Sequence, residues 1–338
     1  MNKIIRNIKV PTGNICIMEG EKGLLEFLSI GDYGKEKNVK ADFLGLHNNI
    51  NGVPNGKIMP LENKWVVTMS TQYGCSMNCK FCDVPKVGNG INATFNDLYD
   101  QLVSAIKLHP EIKHTKRLNI HYARMGEPTF NLSVLDFTLE IKNIIKQFLG
   151  DSLFHPVIST MMPKHNRFLE DYLLKWTEIK NHYMHGDAGL QLSINSTNEE
   201  QRNDMFSGNA LSLEDIADIG RKLPNPVGRK YALNFALADN YEVDAYKIRN
   251  YFDPNKFMVK ITPLHKTNSC IDNNIKTTGG YEYFTPYQET ENQLKLYGFD
   301  VLVFIPSYDE DLGRITCGNA ILSGSIPECK YEEVYMKA

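Results

Sequence analysis

From Trp65 onward, short apolar stretches alternate with longer helix-like patterns, and this alternation constrains the fold more than any other feature. Strands are predicted at Trp65–Met69, Leu118–Tyr122, Pro156–Thr160, Leu190–Ile194, Tyr231–Leu237, Phe257–Ile261 and Val301–Ile305. Between them, helices are predicted at Thr94–Leu108, Ser133–Phe148, Ser212–Lys222, Ala245–Phe252 and Pro286–Tyr297, with Ser212 as an N-cap. Six or more β-then-α units argue for an α/β fold with a parallel sheet wrapped by helices. A span of about 250 residues suits a full or partial (β/α) barrel, whose chemistry gathers at the carboxyl ends of the strands. Ahead of this core, residues 1–62 carry the alternating stretches Asn14–Met18 and Leu24–Ile30, predicting a small β-rich N-terminal extension. Leu46–Glu62, with Gly52, Pro54, Gly56 and Pro60, reads as a loop into the core at 63–338.

Composition removes several classes. At 338 residues, 42% hydrophobic and 23% charged, the chain has ordinary globular usage. No apolar run approaches the roughly 18–20 residues that span a bilayer. The amino terminus is polar where a signal peptide is apolar, so the expectation is a soluble cytoplasmic protein with no membrane partner. A net charge of −3 argues against extensive duplex nucleic-acid binding, which needs a basic excess. It leaves room for a local basic channel, for which Lys80, Lys86, Arg124, Arg229 and Lys230 are candidates. Neither a GxGxxG fingerprint nor a P-loop is present.

The seven cysteines are odd in number, and Cys75, Cys79 and Cys82 fall within eight residues. That is no secreted disulfide framework; clustered thiols in a reducing compartment read as metal ligands. A CxxxCxxC spacing on a loop after a strand suits three irons of a 4Fe–4S cubane, leaving the fourth open where most proteins supply a fourth cysteine. A structural zinc site would want four ligands in paired spacings. A non-catalytic iron–sulfur protein is the alternative from another class.

The triplet resembles that of radical S-adenosylmethionine (SAM) enzymes. The resemblance implies that the open iron binds the amino and carboxylate groups of SAM, which is cleaved reductively to a carbon radical. It also implies an electron donor such as flavodoxin or ferredoxin. Phe81 matches an aromatic near the SAM adenine, and Met125-Gly126-Glu127-Pro128 resembles the glycine–glutamate–proline element that receives the SAM ammonium. Further stretches resemble the RlmN/Cfr family of RNA adenosine methyltransferases: Ser70–Cys75, Val157–Thr160 with Ser159, Leu190–Asn195 with Ser193, Val259–His265, and Arg314–Ala320 with Cys317. Ser193 and Ser159 lie on strands that face SAM in that family, and His265 stands where an asparagine near SAM is usual. By the same resemblance Cys317 is catalytic: it takes a methyl group from one SAM and delivers it, after radical activation, to carbon 2 or 8 of adenosine in RNA.

Three departures are visible. The family's second cysteine, seven residues before the first cluster ligand, is Thr68 here, and a hydroxyl cannot perform thiol–disulfide exchange. Either Cys16, Cys270 or Cys329 replaces it, Cys329 being nearest to Cys317 in sequence, or the chemistry ends differently. The others are His265 itself and a front end of about 60 residues, shorter than the accessory domain of the ribosomal RNA enzymes. A free nucleotide, small metabolite or peptide is therefore the alternative substrate.

Overall fold

The computed structural model describes residues 2–31, 58–277, 285–306 and 308–336, so the predicted loop at 46–62 lies outside the described residues up to 57. Three strands come first: β1 (Ile4–Val10), β2 (Gly13–Gly20) and β3 (Gly23–Ile30). β4 (Trp65–Thr68) is followed by the short pair β5 (Gln72–Gly74) and β6 (Asn89–Asn92). The series continues through β7 (Leu118–Tyr122), β8 (Phe154–Thr160), β9 (Gly189–Ser193), β10 (Tyr231–Leu237), β11 (Phe257–Pro263) and β12 (Val301–Val303), and closes with β13 (Glu332–Tyr335).

One sheet has the order β12-β11-β10-β9-β8-β7-β4-β3-β2-β1-β13. From β4 to β12 every pairing is parallel, whereas β3 joins β4 antiparallel. The β-rich extension thus continues the core sheet, and β13 returns the end of the chain to β1. Among the described residues no pairing links β12 to β4, so the parallel array is open and not a full barrel. All seven core strands predicted from the alternation are present, and the predicted helices appear as Phe95–Lys107, Ser133–Leu149, Leu213–Lys222, Ala245–Tyr251 and Thr285–Leu296. Ser212 caps its helix as expected, its hydroxyl accepting from the Asp215 amide at 3.1 Å.

The two faces of the sheet differ. Leu118, Ile120, Tyr122, Leu190, Leu192, Leu233, Phe235, Val259 and Ile261 are buried in the main core. On the other face Asn119, His121, Ser159, Gln191, Asn234 and Lys260 are half-buried. Parallel sheets are usually apolar on both faces; here one face is polar.

The amino ends of these strands carry a charge cluster. Arg117 donates to both Asp187 oxygens at 2.8 and 3.0 Å, and His155 Nδ1 lies 2.8 Å from Asp187 Oδ1. Burial works against the Asp187 charge, but His155 and Arg117 outweigh it and hold the carboxyl well below the usual range. Burial pushes His155 down, with Asp187 opposing. Both groups thus bind protons more readily in the unfolded chain, so their contribution is full above about pH 6.5 and is lost as pH falls. Urea midpoints should decline from pH 7 downward, and Asp187→Asn should flatten the part of that decline below about pH 4. An equal slope in wild type and variant there would contradict this.

Candidate active site

The site begins at the end of β4, where the chain passes through Ser70 and Thr71 into β5 and reaches Cys75. Backbone contacts fix this passage: the Thr71 amide donates to the Met125 carbonyl at 2.8 Å and the Cys75 amide to Gly88 at 2.9 Å. Asn131 Nδ2 donates to the carbonyls of Thr71 and Ala93, both at 2.8 Å. Asn78, between the first two cysteines, takes φ +50°, a conformation asparagine tolerates. Cys79 is buried and Cys75 and Cys82 half-buried, packed with Met77, Met205, Phe206 and Phe81.

The three thiols feel one another. Burial pushes Cys75 up to about 11. Cys79 is raised by burial and by Cys82 and Cys75, and Cys82 by burial and then by Cys75, Asp83 and Cys317. Glu127 acts on both Cys75 and Cys79. Each of these neighbours opposes ionisation of the thiols, which binding of a metal centre as thiolates would reverse. Among the described residues no three His, Cys, Asp or Glu side chains are arranged to hold a single metal ion. A cubane takes one thiolate on each of several irons and needs no such convergence; the donor set fits it.

Gly126 adopts φ +95°, and a Cβ there would lie 2.5 Å from Gln72 Cβ and 2.8 Å from its backbone nitrogen, so this turn requires glycine. Glu127 is buried; its carboxylate accepts from the Thr129 amide (3.1 Å), the Thr129 hydroxyl (2.7 Å) and the Met161 amide (2.8 Å). Burial raises its pKa against these bonds. Glu127 thus straps the turn after β7 to the end of β8. Its own amide donates to Gln72 Oε1 at 2.9 Å, which ties the strap back to the cysteine loop.

On the polar face, Ser159 pairs in register with Gln191, and Ser193 with Asn234 and, through it, Lys260. Among the described residues Asn234 Oδ1 and Thr262 Oγ1 are buried without a partner, and Lys260 Nζ lies 3.5 Å from Gln191 Oε1. Burial pushes the Lys260 ammonium down while Cys317 pulls it up. Phe81 meets Phe206 edge-on at 5.9 Å between ring centroids. His265 is half-buried, with Nδ1 3.1 Å from Asp311 Oδ1. It lines a cavity of about 410 Å³ with Cys270, Asp311 and Arg314, to which no cluster cysteine and not Cys317 contributes.

The link between the two cysteine segments runs through Asp83, which sequence reasoning did not single out. Its amide donates to Gly318 at 2.8 Å. Its carboxylate accepts from the Ser269 amide (2.8 Å) and hydroxyl (2.7 Å), the Asn268 amide (3.1 Å) and Ser325 (3.0 Å). Burial works against its charge, but these donors outweigh it and hold the carboxyl below its usual range. An aspartate after the last ligand carries no signal of its own; Lys260, at an ordinary strand position, was equally silent.

Among the remaining cysteines, Cys270 Sγ donates to the His265 carbonyl (3.4 Å), Cys16 is buried on β2 and pushed up to about 12, and Cys329 packs on the apolar cluster of Ile8, Ile15 and Ile321. The proposed basic contacts are engaged. Arg124 is buried against Glu26, which removes it from any phosphate surface. Lys80 pairs with Asp204, Lys86 with Asp272, Arg229 with Asp187 and Lys230 with Asp300.

Comparison with known proteins places this geometry. The chain is 28% identical over 189 residues to the dual-specificity RNA methyltransferase RlmN of Campylobacter lari, covering 55% of this chain and 48% of that protein. It is 25% identical over 231 residues to RlmN of Campylobacter concisus, covering 68% and 52%. The chain thus spans about half the length of these curated relatives. A radical SAM methyltransferase from Sphaerobacter thermophilus shares the fold, with a TM-score of 0.62, 16% identity and coverage of 94% of this chain and 80% of that one. No family model matches. The open α/β sheet that carries the cysteine triplet at its strand ends is thus the fold of that radical SAM methyltransferase. In sequence the chain is similar, at modest identity, to methyltransferases of the RlmN/Cfr type. Among the described residues no helix is long and apolar enough to cross a membrane.

Proposed function

We propose that this chain is a radical SAM methyltransferase in which Cys317 carries the methyl group to an electrophilic aromatic carbon, adenosine in RNA being the first candidate. One observation carries the reading. The Asp83 amide holds the Gly318 carbonyl at 2.8 Å, so an exposed thiol from the far end of the chain stands beside the loop of the cysteine triplet.

In this reading residues 63–338 form the catalytic core, a partial barrel of radical SAM type, and 1–62 its extension. Cys75, Cys79 and Cys82 would hold a 4Fe–4S cluster; Gly126, Glu127, Ser159 and Ser193 would bind SAM, with Phe81 and His265 bordering the site. A cluster held by these three cysteines would supply one-electron reduction of SAM. The protein's own part is to present Cys317 as nucleophile and methyl carrier, with Lys260 the nearby cation and Glu127 keeping the Gly126 turn closed. A flavodoxin- or ferredoxin-like donor would deliver the electron.

A second reading, a free nucleotide or other small substrate, is favoured by the pairing of all five candidate basic residues with carboxylates. Anaerobic reaction with SAM, reductant and total cellular RNA, followed by nucleoside mass spectrometry, separates the two. New methylated adenosine supports RNA. SAM cleavage and S-methyl-Cys317 without a modified nucleoside would exclude it and leave the small substrate.

A further inference from the structure

Cys317 is exposed, and its position is set by the backbone of its loop. That loop rests on a buried ion pair formed elsewhere. Glu26 on β3 and Arg124 after β7 have fully buried side chains, with Arg124 Nε 2.7 Å from Glu26 Oε1. The guanidinium donates onward to the carbonyls of Arg314 (3.1 Å) and Thr316 (3.5 Å), ahead of Cys317. The carboxylate accepts from the amides of Ile321 (3.2 Å) and Leu322 (3.1 Å), behind it. One pair therefore grips both flanks of the loop. The same residues reach the segment that leads into the triplet: the Arg124 amide donates to Met69 at 2.9 Å, and the Ser70 hydroxyl to the Glu26 carbonyl at 2.5 Å. Ile315 and Ile321 also pack on Ile8, Ile15 and Ile17 of the extension.

A buried ion pair is a poor source of stability, because apolar side chains of similar volume often serve as well or better. What apolar side chains cannot do is hold two carbonyls and two amides at fixed points. We propose that Glu26–Arg124 is a positioning pair for Cys317, and that the N-terminal extension thereby forms part of the catalytic unit. The proposal rests on Cys317 being the methyl carrier.

Single substitutions leave a buried charge unpaired and risk unfolding, so the test is the apolar double variant Glu26→Leu/Arg124→Met in the full, anaerobically reconstituted chain. Three quantities are read: 5′-deoxyadenosine formed with SAM and dithionite, S-methylation of Cys317 by peptide mass spectrometry, and amide exchange over 314–322. Iron content and SAM cleavage should stay within about twofold of wild type, while Cys317 methylation slows about 10²-fold, the effect of misplacing a reacting group by about 1 Å. Amide exchange over the loop should rise with no change in β7–β11. Wild-type methylation with an equally protected loop would overturn the proposal, as would an equal fall in SAM cleavage and methylation. If wild type itself never methylates Cys317, the carrier reading falls, and loop exchange alone decides whether the pair positions that segment.

Discussion

Cys79→Ser should abolish both the cluster and SAM cleavage. Cys79 is the most buried of the three proposed ligands and the one on which both other thiols act. A serine hydroxyl there is a poor ligand for a soft iron–sulfur centre, which selects thiolates. Iron and sulfide after anaerobic reconstitution should fall to background, and 5′-deoxyadenosine with SAM and dithionite below detection. The fold should survive, since one buried hydroxyl costs about 1–3 kcal/mol. Cys16→Ser is the matched control: Cys16 is also buried, but on β2 beside Asn7, and its loss should leave iron content unchanged. A Cys79→Ser protein that still cleaved SAM would show the ligands misassigned.

Cys317→Ala should separate the two halves of the chemistry. The side chain is exposed, so stability should change by no more than about 0.5 kcal/mol. Cluster content and SAM cleavage should persist, while the S-methyl group and every methylated product disappear. Product formation by Cys317→Ala at more than a few per cent of wild type would remove Cys317 from the pathway. Thr68 adds a second handle. It is buried at the end of β4 in register with His121 and carries no thiol, so a thiol that releases the product from Cys317 would have to be Cys16, Cys270 or Cys329.

The core was legible because apolar alternation and helix periodicity report burial directly. Tyr231–Leu237 alternates buried and half-buried residues along its whole length, as a strand with one apolar and one polar face should. The triplet stands out in the sequence because its spacing is itself the signal. Openness of the sheet was not legible: closure depends on whether β12 pairs with β4, and strand periodicity says nothing about partners. The strand β13, Glu332–Tyr335, has the pattern of an exposed tail and is ordered by pairing with β1 across the whole length of the chain. Arg124 misled for a related reason. A lone arginine before Met125-Gly126-Glu127 reads as a surface cation, and only the fold brings Glu26, nearly a hundred residues away, to neutralise it. Asp83 likewise owes its importance to donors that are local in space and remote in sequence.

The most direct measurement is electron paramagnetic resonance of the reduced, reconstituted protein with and without SAM. Three cysteines and one iron free to bind SAM predict a 4Fe–4S signal that shifts when SAM is added. A signal unmoved by saturating SAM, or an iron already capped by a fourth side chain, would contradict the account.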